Sequence, residues 1–224
     1  MQEKKLFGHA ISRFLSGLIL TGLLLFLPAG TFAYPRAWLL IGILFIPMLT
    51  AGLIMLKKNP ELLRKRLDLR EEQGEQKKVI GLSGLLFVFA FAAAGLGHRF
   101  GWNTIPAGVS CAAAVCFLLA YALYAEVLRE NAYLSRTVKV QENQKVVDTG
   151  LYGIVRHPMY MSTILLFLSM PLVLGSVISF GIMLLYIPII AVRIRNEETV
   201  LEKGLEGYAD YMKRVRYKVI PYIW

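Results

Sequence analysis

Six runs of apolar residues divide the chain: Phe14–Ala33, Ala37–Leu56, Val79–Gly97, Thr104–Val127, Pro158–Leu174 and Val177–Val192. A helix rises 1.5 Å per residue, so the first four can cross a hydrocarbon core of about 30 Å. The last two lie near the lower limit. They read as a short hairpin, tilted or partly embedded, that turns at Gly175-Ser176. Pro28 and Pro47 are expected to kink the first two helices, and Pro171 and Pro188 the last two. The fold expected is all-α and integral to the membrane, with about six transmembrane helices. Residues 1–224 form one domain: a four-helix membrane part over 1–130, and a part over 131–224 that carries the polar chemistry.

Charge placement adds an orientation. The chain has 25 lysines and arginines against 15 acidic residues, a formal charge of +10. With the N-terminus in the cytoplasm and six alternating spans, only Arg36 and Arg99 fall outside. The positive-inside rule then puts both termini on the cytoplasmic side. The basic excess is explained by loops facing an anionic leaflet, and nucleic acid is not expected as a partner. The 56% hydrophobic content, mean hydropathy of +0.55 and 18% charged residues exclude a soluble globular domain. A first helix retained in the protein is expected rather than a cleaved leader, because the opening run is too long and flows into further spans. The Lys57–Lys78 loop sets Arg64, Lys65 and Arg66 against Glu71, Glu72 and Glu75, and reads as a solvated loop, helical in part. Cys111 and Cys116 are five apart in one apolar run and point in different directions, which argues against a disulfide or a metal site.

Two polar clusters flank the closing hairpin, which returns them to one membrane face. The first is Gly150-Leu-Tyr-Gly-Ile-Val-Arg-His-Pro-Met-Tyr160. Proline favours the first turn of a helix, so Pro158 marks a helix start with His157 at its cap. First-turn amides and the helix dipole suit an anion such as a carboxylate. The competing reading is that Arg156 and His157 anchor a helix end at the headgroups. Tyr152, after the Gly150 bend, offers a surface for stacking on a base, or is an ordinary interfacial tyrosine. The second cluster is Arg193-Ile-Arg-Asn-Glu-Glu198. Arg193 and Glu197 share a helix face, whereas Glu198 lies about 100° round. The pair is either a surface ion pair or an acidic group for a bound cation beside a guanidinium for an anion. The tail Tyr208–Trp224 is basic and aromatic, suited to anchoring at the membrane surface or to covering the site. No Walker loop, HExxH or GxSxG occurs, and Gly95-Leu-Gly97 lacks the strand–helix context of a dinucleotide motif.

From about Val138 to Trp224 the chain resembles the isoprenylcysteine carboxyl methyltransferase family and its phospholipid methyltransferase relatives. The matching elements are Gly150-x-Tyr152, Arg156-His-Pro-x-Tyr160, Arg193-x3-Glu197-Glu198, Gly207-Tyr208-x2-Tyr211 and Val215…Ile220-Pro221. The resemblance implies an S-adenosylmethionine-dependent membrane enzyme whose cytoplasmic C-terminal region binds the cofactor. The acceptor is a lipophilic or lipidated molecule that arrives from the bilayer. Its cofactor contacts would fall on Gln141, Gln144, Lys145, Val146, Val147, Tyr152, His157, Pro158, Met159, Tyr160 and Glu197. Arg193 would face the acceptor, and with Glu197 forms the catalytic pair. Many members carry His in place of Gln144 and Gly in place of Ser162, so this chain departs at both positions.

Methylating a carboxylate with a sulfonium cancels opposite charges, which a dry site favours, and needs no general base. An amine acceptor must lose a proton, and a nearby Arg193 disfavours its cationic form. Carboxyl O-methylation is therefore the expected reaction, ahead of phospholipid or other lipid N-methylation. Membrane reductases using a nicotinamide cofactor share some of the C-terminal pattern and are a more distant reading. A small transporter or scaffold is the non-enzymatic alternative, disfavoured because the spans are almost free of charge and Glu126 lies near a helix end.

Overall fold

Helices occupy every one of the six apolar runs in a computed structural model, which describes residues 2–67, 74–135, 137–138 and 140–224. They are α1 (Gln2–Ala29), α2 (Pro35–Lys58), α3 (Pro60–Leu67), α4 (Gly74–Arg99), α5 (Ala107–Glu130), α6 (Pro158–Leu174), α7 (Val177–Leu184), α8 (Tyr186–Gly204) and α9 (Tyr208–Arg214). A 3₁₀ turn spans Gly150–Gly153. No strand occurs among the described residues. Among the described residues, five helical stretches are long and apolar enough to cross a membrane: Lys5–Ala29, Pro35–Lys58, Gln76–Arg99, Ala107–Glu130 and Val177–Gly204. The sixth, α6, is apolar but has only 17 residues. Leu27, Ile46 and Leu119 are among many large apolar side chains turned outward, as lipid-facing positions require.

The prolines act in two ways. Pro35 and Pro158 stand in the first turn of their helices, where the missing N–H costs no bond. Pro28, Pro47 and Pro171 lie inside continuous helices. The last apolar run is interrupted at Leu185, between α7 and α8. Pro188 accounts for that break: its ring meets the carbonyl four residues back, which belongs to Leu184. The hairpin turn forms as expected. Gly175 caps α6 in the left-handed region (φ 81°), and the Ser176 hydroxyl caps α7 by accepting from the Ser179 amide at 3.2 Å.

Packing fixes which ends of the helices lie together. Leu25, Phe26, Ala37, Leu40, Phe91, Ala94, Phe117, Ala120, Met170 and Val173 form one core among α1, α2, α4, α5 and α6. Gly95 allows α1 and α4 to touch, since a Cβ there would stand 2.6 Å from the Leu25 carbonyl oxygen. Its role is close packing, consistent with rejecting it as a nucleotide motif. At one end of the bundle the Tyr34 hydroxyl donates to the Leu174 carbonyl at 2.8 Å, and the Ile105 amide donates to that of Gly175 at 3.3 Å. At the other end, Lys65 of α3 donates to the Ala132 carbonyl at 3.4 Å, and Gln76 of α4 to that of Arg193 at 3.4 Å. The start of α6, the polar half of α8 and the tail gather there. Of the expected Lys57–Lys78 loop, residues 60–67 are helical and α4 begins at Gly74. Glu71, Glu72 and the Glu75 side chain lie outside what is described. Cys111 and Cys116 are free and exposed on α5.

Candidate active site

The polar run that ends the last apolar segment does not end its helix. Helix α8 continues through Arg193, Glu197 and Glu198 to Gly204, so one rigid element carries all three groups. Arg193 is 9% exposed although charged. Its Nε donates to the Tyr160 hydroxyl at 3.0 Å, and that hydroxyl donates to Glu197 Oε2. A tyrosine of α6 thus joins the guanidinium and carboxylate of α8.

Glu198 turns the other way. Its Oε1 accepts from Arg156 Nε at 2.8 Å and lies 3.2 Å from His157 Nε2, while Oε2 accepts from Lys218 Nζ at 2.6 Å. Arg156, His157 and Glu198 are all buried. Arg156 also donates to the carbonyls of Val215 (2.7 Å) and Arg216 (2.9 Å). The amides of Arg156 and His157 donate to the carbonyls of Tyr217 (2.9 Å) and Lys218 (2.8 Å). The Arg-His-Pro segment therefore clamps the C-terminal tail to α8. His157 is the cap residue of α6 in its backbone, but its ring makes no cap bond. The amides of Tyr160 and Met161 both donate to the His157 carbonyl, so they are already occupied.

Between α8, α9 and the loop after α5 lies an open cleft with a cavity of about 90 Å³. Ten expected residues line it: Gln144, Lys145, Val146, Val147, Tyr152, His157, Met159, Tyr160, Arg193 and Glu197. Two do not. Gln141 supports the loop, since its amide donates to Gln144 Oε1 at 2.9 Å and its side-chain nitrogen donates to the Tyr133 carbonyl. Pro158 is buried as the first residue of α6 and accepts from the Ser162 hydroxyl at 3.1 Å. Ser162 is fully buried and turned back on its own helix, so its departure from glycine does not reach the cleft.

The cleft also contains residues that the sequence reading left unassigned: Asn131, Tyr133, Arg156, Tyr208 and Tyr211. The Asn131 side chain donates to the Tyr152 hydroxyl at 3.0 Å, and the Tyr211 hydroxyl to the Tyr152 carbonyl at 2.8 Å. Tyr152 is thereby held edge and back. Gly150 makes this turn possible. It takes φ +48°, and Glu130 occupies the place of a Cβ while accepting from the Leu151 amide at 3.1 Å. Tyr208 and Tyr211 were visible as a spacing of three on one short helix, which puts both on one face. Burial pushes the hydroxyls of Tyr152, Tyr208 and Tyr211 well above their ordinary pKa, so all three are protonated donors at neutral pH.

The phospholipid methyltransferase family model matches residues 107–206, from the start of α5 to just beyond α8. The chain is also similar to the Delta(14)-sterol reductase TM7SF2 of Mus musculus, at 29% identity over 91 residues, which is 39% of this chain. The chain covers 22% of that relative's length. The family match covers less than half of the chain. The apolar helices together with that match point to a multi-pass membrane protein.

Proposed function

We propose that the chain is an S-adenosylmethionine-dependent membrane methyltransferase acting on a lipophilic acceptor, with a carboxylate as the group methylated. The observation that carries this reading is the Arg193–Tyr160–Glu197 chain in the wall of the cleft. It presents a buried guanidinium and a carboxylate side by side, suited to an anionic acceptor and a cationic donor.

The residues present fit this cofactor. Glu197 offers a negative partner for a sulfonium or an ammonium. The rings of Tyr133 and Tyr152 offer stacking surface for a base, and Val146, Val147, Leu201 and Leu205 offer apolar contact. When bound, S-adenosylmethionine supplies an electrophilic methyl group on sulfur, which departs as a neutral thioether. Arg193 would hold the acceptor carboxylate, and Tyr160 fixes the guanidinium and Glu197 relative to each other. Burial of Arg193 and Tyr160 shields this part of the cleft wall from water, which favours the cancelling of charges as the methyl moves. No residue is asked to remove a proton, because a carboxylate is ionised at pH 7. A second reading, N-methylation of a phospholipid amine, is favoured by the family match.

Purified protein in nanodiscs, given methyl-labelled S-adenosylmethionine with prenylcysteine analogues or aminophospholipids, separates the two. Label is expected in the prenylcysteine carboxyl. Arg193→Gln is expected to lose most turnover while cofactor affinity stays within a few-fold. Arg193→Lys, which keeps the charge but not the planar fork, is expected to be partly active. Full activity in Arg193→Ala, or label only in phospholipid, would refute the carboxylate assignment. Loss of cofactor binding in step with turnover would move Arg193 to the cofactor.

A further inference from the structure

Five tyrosines line the cleft: Tyr133, Tyr152, Tyr160, Tyr208 and Tyr211. Four of their hydroxyls have partners: the Asn143 carbonyl for Tyr133 (3.2 Å), Asn131 for Tyr152, Arg193 and Glu197 for Tyr160, and the Tyr152 carbonyl for Tyr211. The hydroxyl of Tyr208 is buried and has no partner among the described residues. The residue is 4% exposed. An unpaired buried hydroxyl is destabilising, and a phenylalanine would fill the same space without that cost.

The side chain is not loosely placed. Tyr208 packs with Leu205, Tyr211 and Val215 against Val146 and Leu201, and its ring centroid is 5.6 Å from that of Tyr211. Glu198 and Glu197 act on it electrostatically. Glu198 is already occupied by Arg156, His157 and Lys218. Tyr208 thus lines the cleft, and its buried hydroxyl has no acceptor among the described residues.

We propose that the Tyr208 hydroxyl is a cofactor-binding group that donates a hydrogen bond to an acceptor atom of the bound S-adenosyl ligand. This rests on the methyltransferase reading of the cleft. The acceptor atom belongs either to the nucleoside or to the carboxylate at the amino-acid end.

The test uses the full chain in nanodiscs, as wild type and as Tyr208→Phe. S-adenosylhomocysteine and 5′-methylthioadenosine, which lacks the amino-acid end, are titrated into each, and the thermal midpoint is measured without ligand. Tyr208→Phe is expected to bind S-adenosylhomocysteine about five- to tenfold more weakly, the effect of one hydrogen bond. Its ligand-free midpoint is expected to be equal to or above wild type, since the unpaired hydroxyl is gone. An equal loss for methylthioadenosine assigns the bond to the nucleoside; a loss for S-adenosylhomocysteine alone assigns it to the carboxylate. Unchanged affinity in Tyr208→Phe overturns the proposal while leaving the cofactor reading intact. A lowered ligand-free midpoint together with weaker binding also overturns it, because that is the mark of a structural role. No binding to wild type removes the cofactor reading, and this inference with it.

Discussion

Glu197 and Glu198 are neighbours on α8, and about 100° of helical turn sends one carboxylate to the cleft and the other to a buried cluster of cations. The two should respond differently to the same change. Glu198→Gln leaves Arg156, His157 and Lys218 without their shared carboxylate. Breaking a buried pair from one side is worth roughly 3–5 kcal/mol, less here for the partly exposed Lys218. A clear fall in the thermal midpoint in detergent is expected, with loss of ligand binding as a consequence. Glu197→Gln should hold its midpoint within a degree or two and lose affinity for S-adenosylhomocysteine. Equal midpoints for Glu198→Gln and wild type would show that the cluster does not hold the tail in place. His157 belongs with Glu198 in this scheme. His157→Ala should weaken binding through lost stability as well as through lost contact, which differs from a residue that only touches ligand.

At the level of elements, the apolar helices were legible because long runs of continuous hydrophobicity have few other physical meanings. The start of α6 was legible from Pro158, and the turn after it from Gly175-Ser176, because those residue types encode backbone geometry directly. The break at Leu185 was placed only approximately by Pro188, since proline acts on a carbonyl four residues earlier. Helix α8 was legible through Glu198, where Arg193 and Glu197 share a face, but not its continuation to Gly204. Over Arg193–Glu198 its one apolar side chain, Ile194, is buried in the α6–α8 core, and the stretch stays helical as the extension of a packed helix. The clamp between Arg156-His157 and residues 215–218 was hidden for another reason: it is made of backbone carbonyls, which carry no side-chain signature. Cleft residues from the Gln144–Val147 strip came from a motif resemblance, and the structure gathers them without regular secondary structure. Gln141 was the misleading neighbour, since its polar groups serve the turn itself.

For the whole molecule, the contacts put α3, the start of α6, the polar half of α8 and the tail at one end, with Tyr34, Ile105 and Gly175 at the other. Charge placement predicts that the first end is cytoplasmic. In a background with Cys111 and Cys116 replaced, Ile223→Cys should react only from the cytoplasmic side, and Trp102→Cys only from outside. Labelling of Ile223→Cys in intact cells would reverse the orientation. The tail exposes Tyr222 and Ile223, at 86% and 80%, while Trp224 packs beside the α6–α8 core, so one part is free for the membrane surface that the sequence predicts and another is held by the protein. The central claim is that the cleft binds an S-adenosyl ligand through Glu197. Calorimetric titration of S-adenosylhomocysteine into wild type and Glu197→Gln in nanodiscs tests it most directly. Saturable binding to wild type, weakened about tenfold or more in Glu197→Gln, is the predicted result. No binding up to millimolar ligand, or saturable binding of a nicotinamide dinucleotide in its place, would contradict the claim.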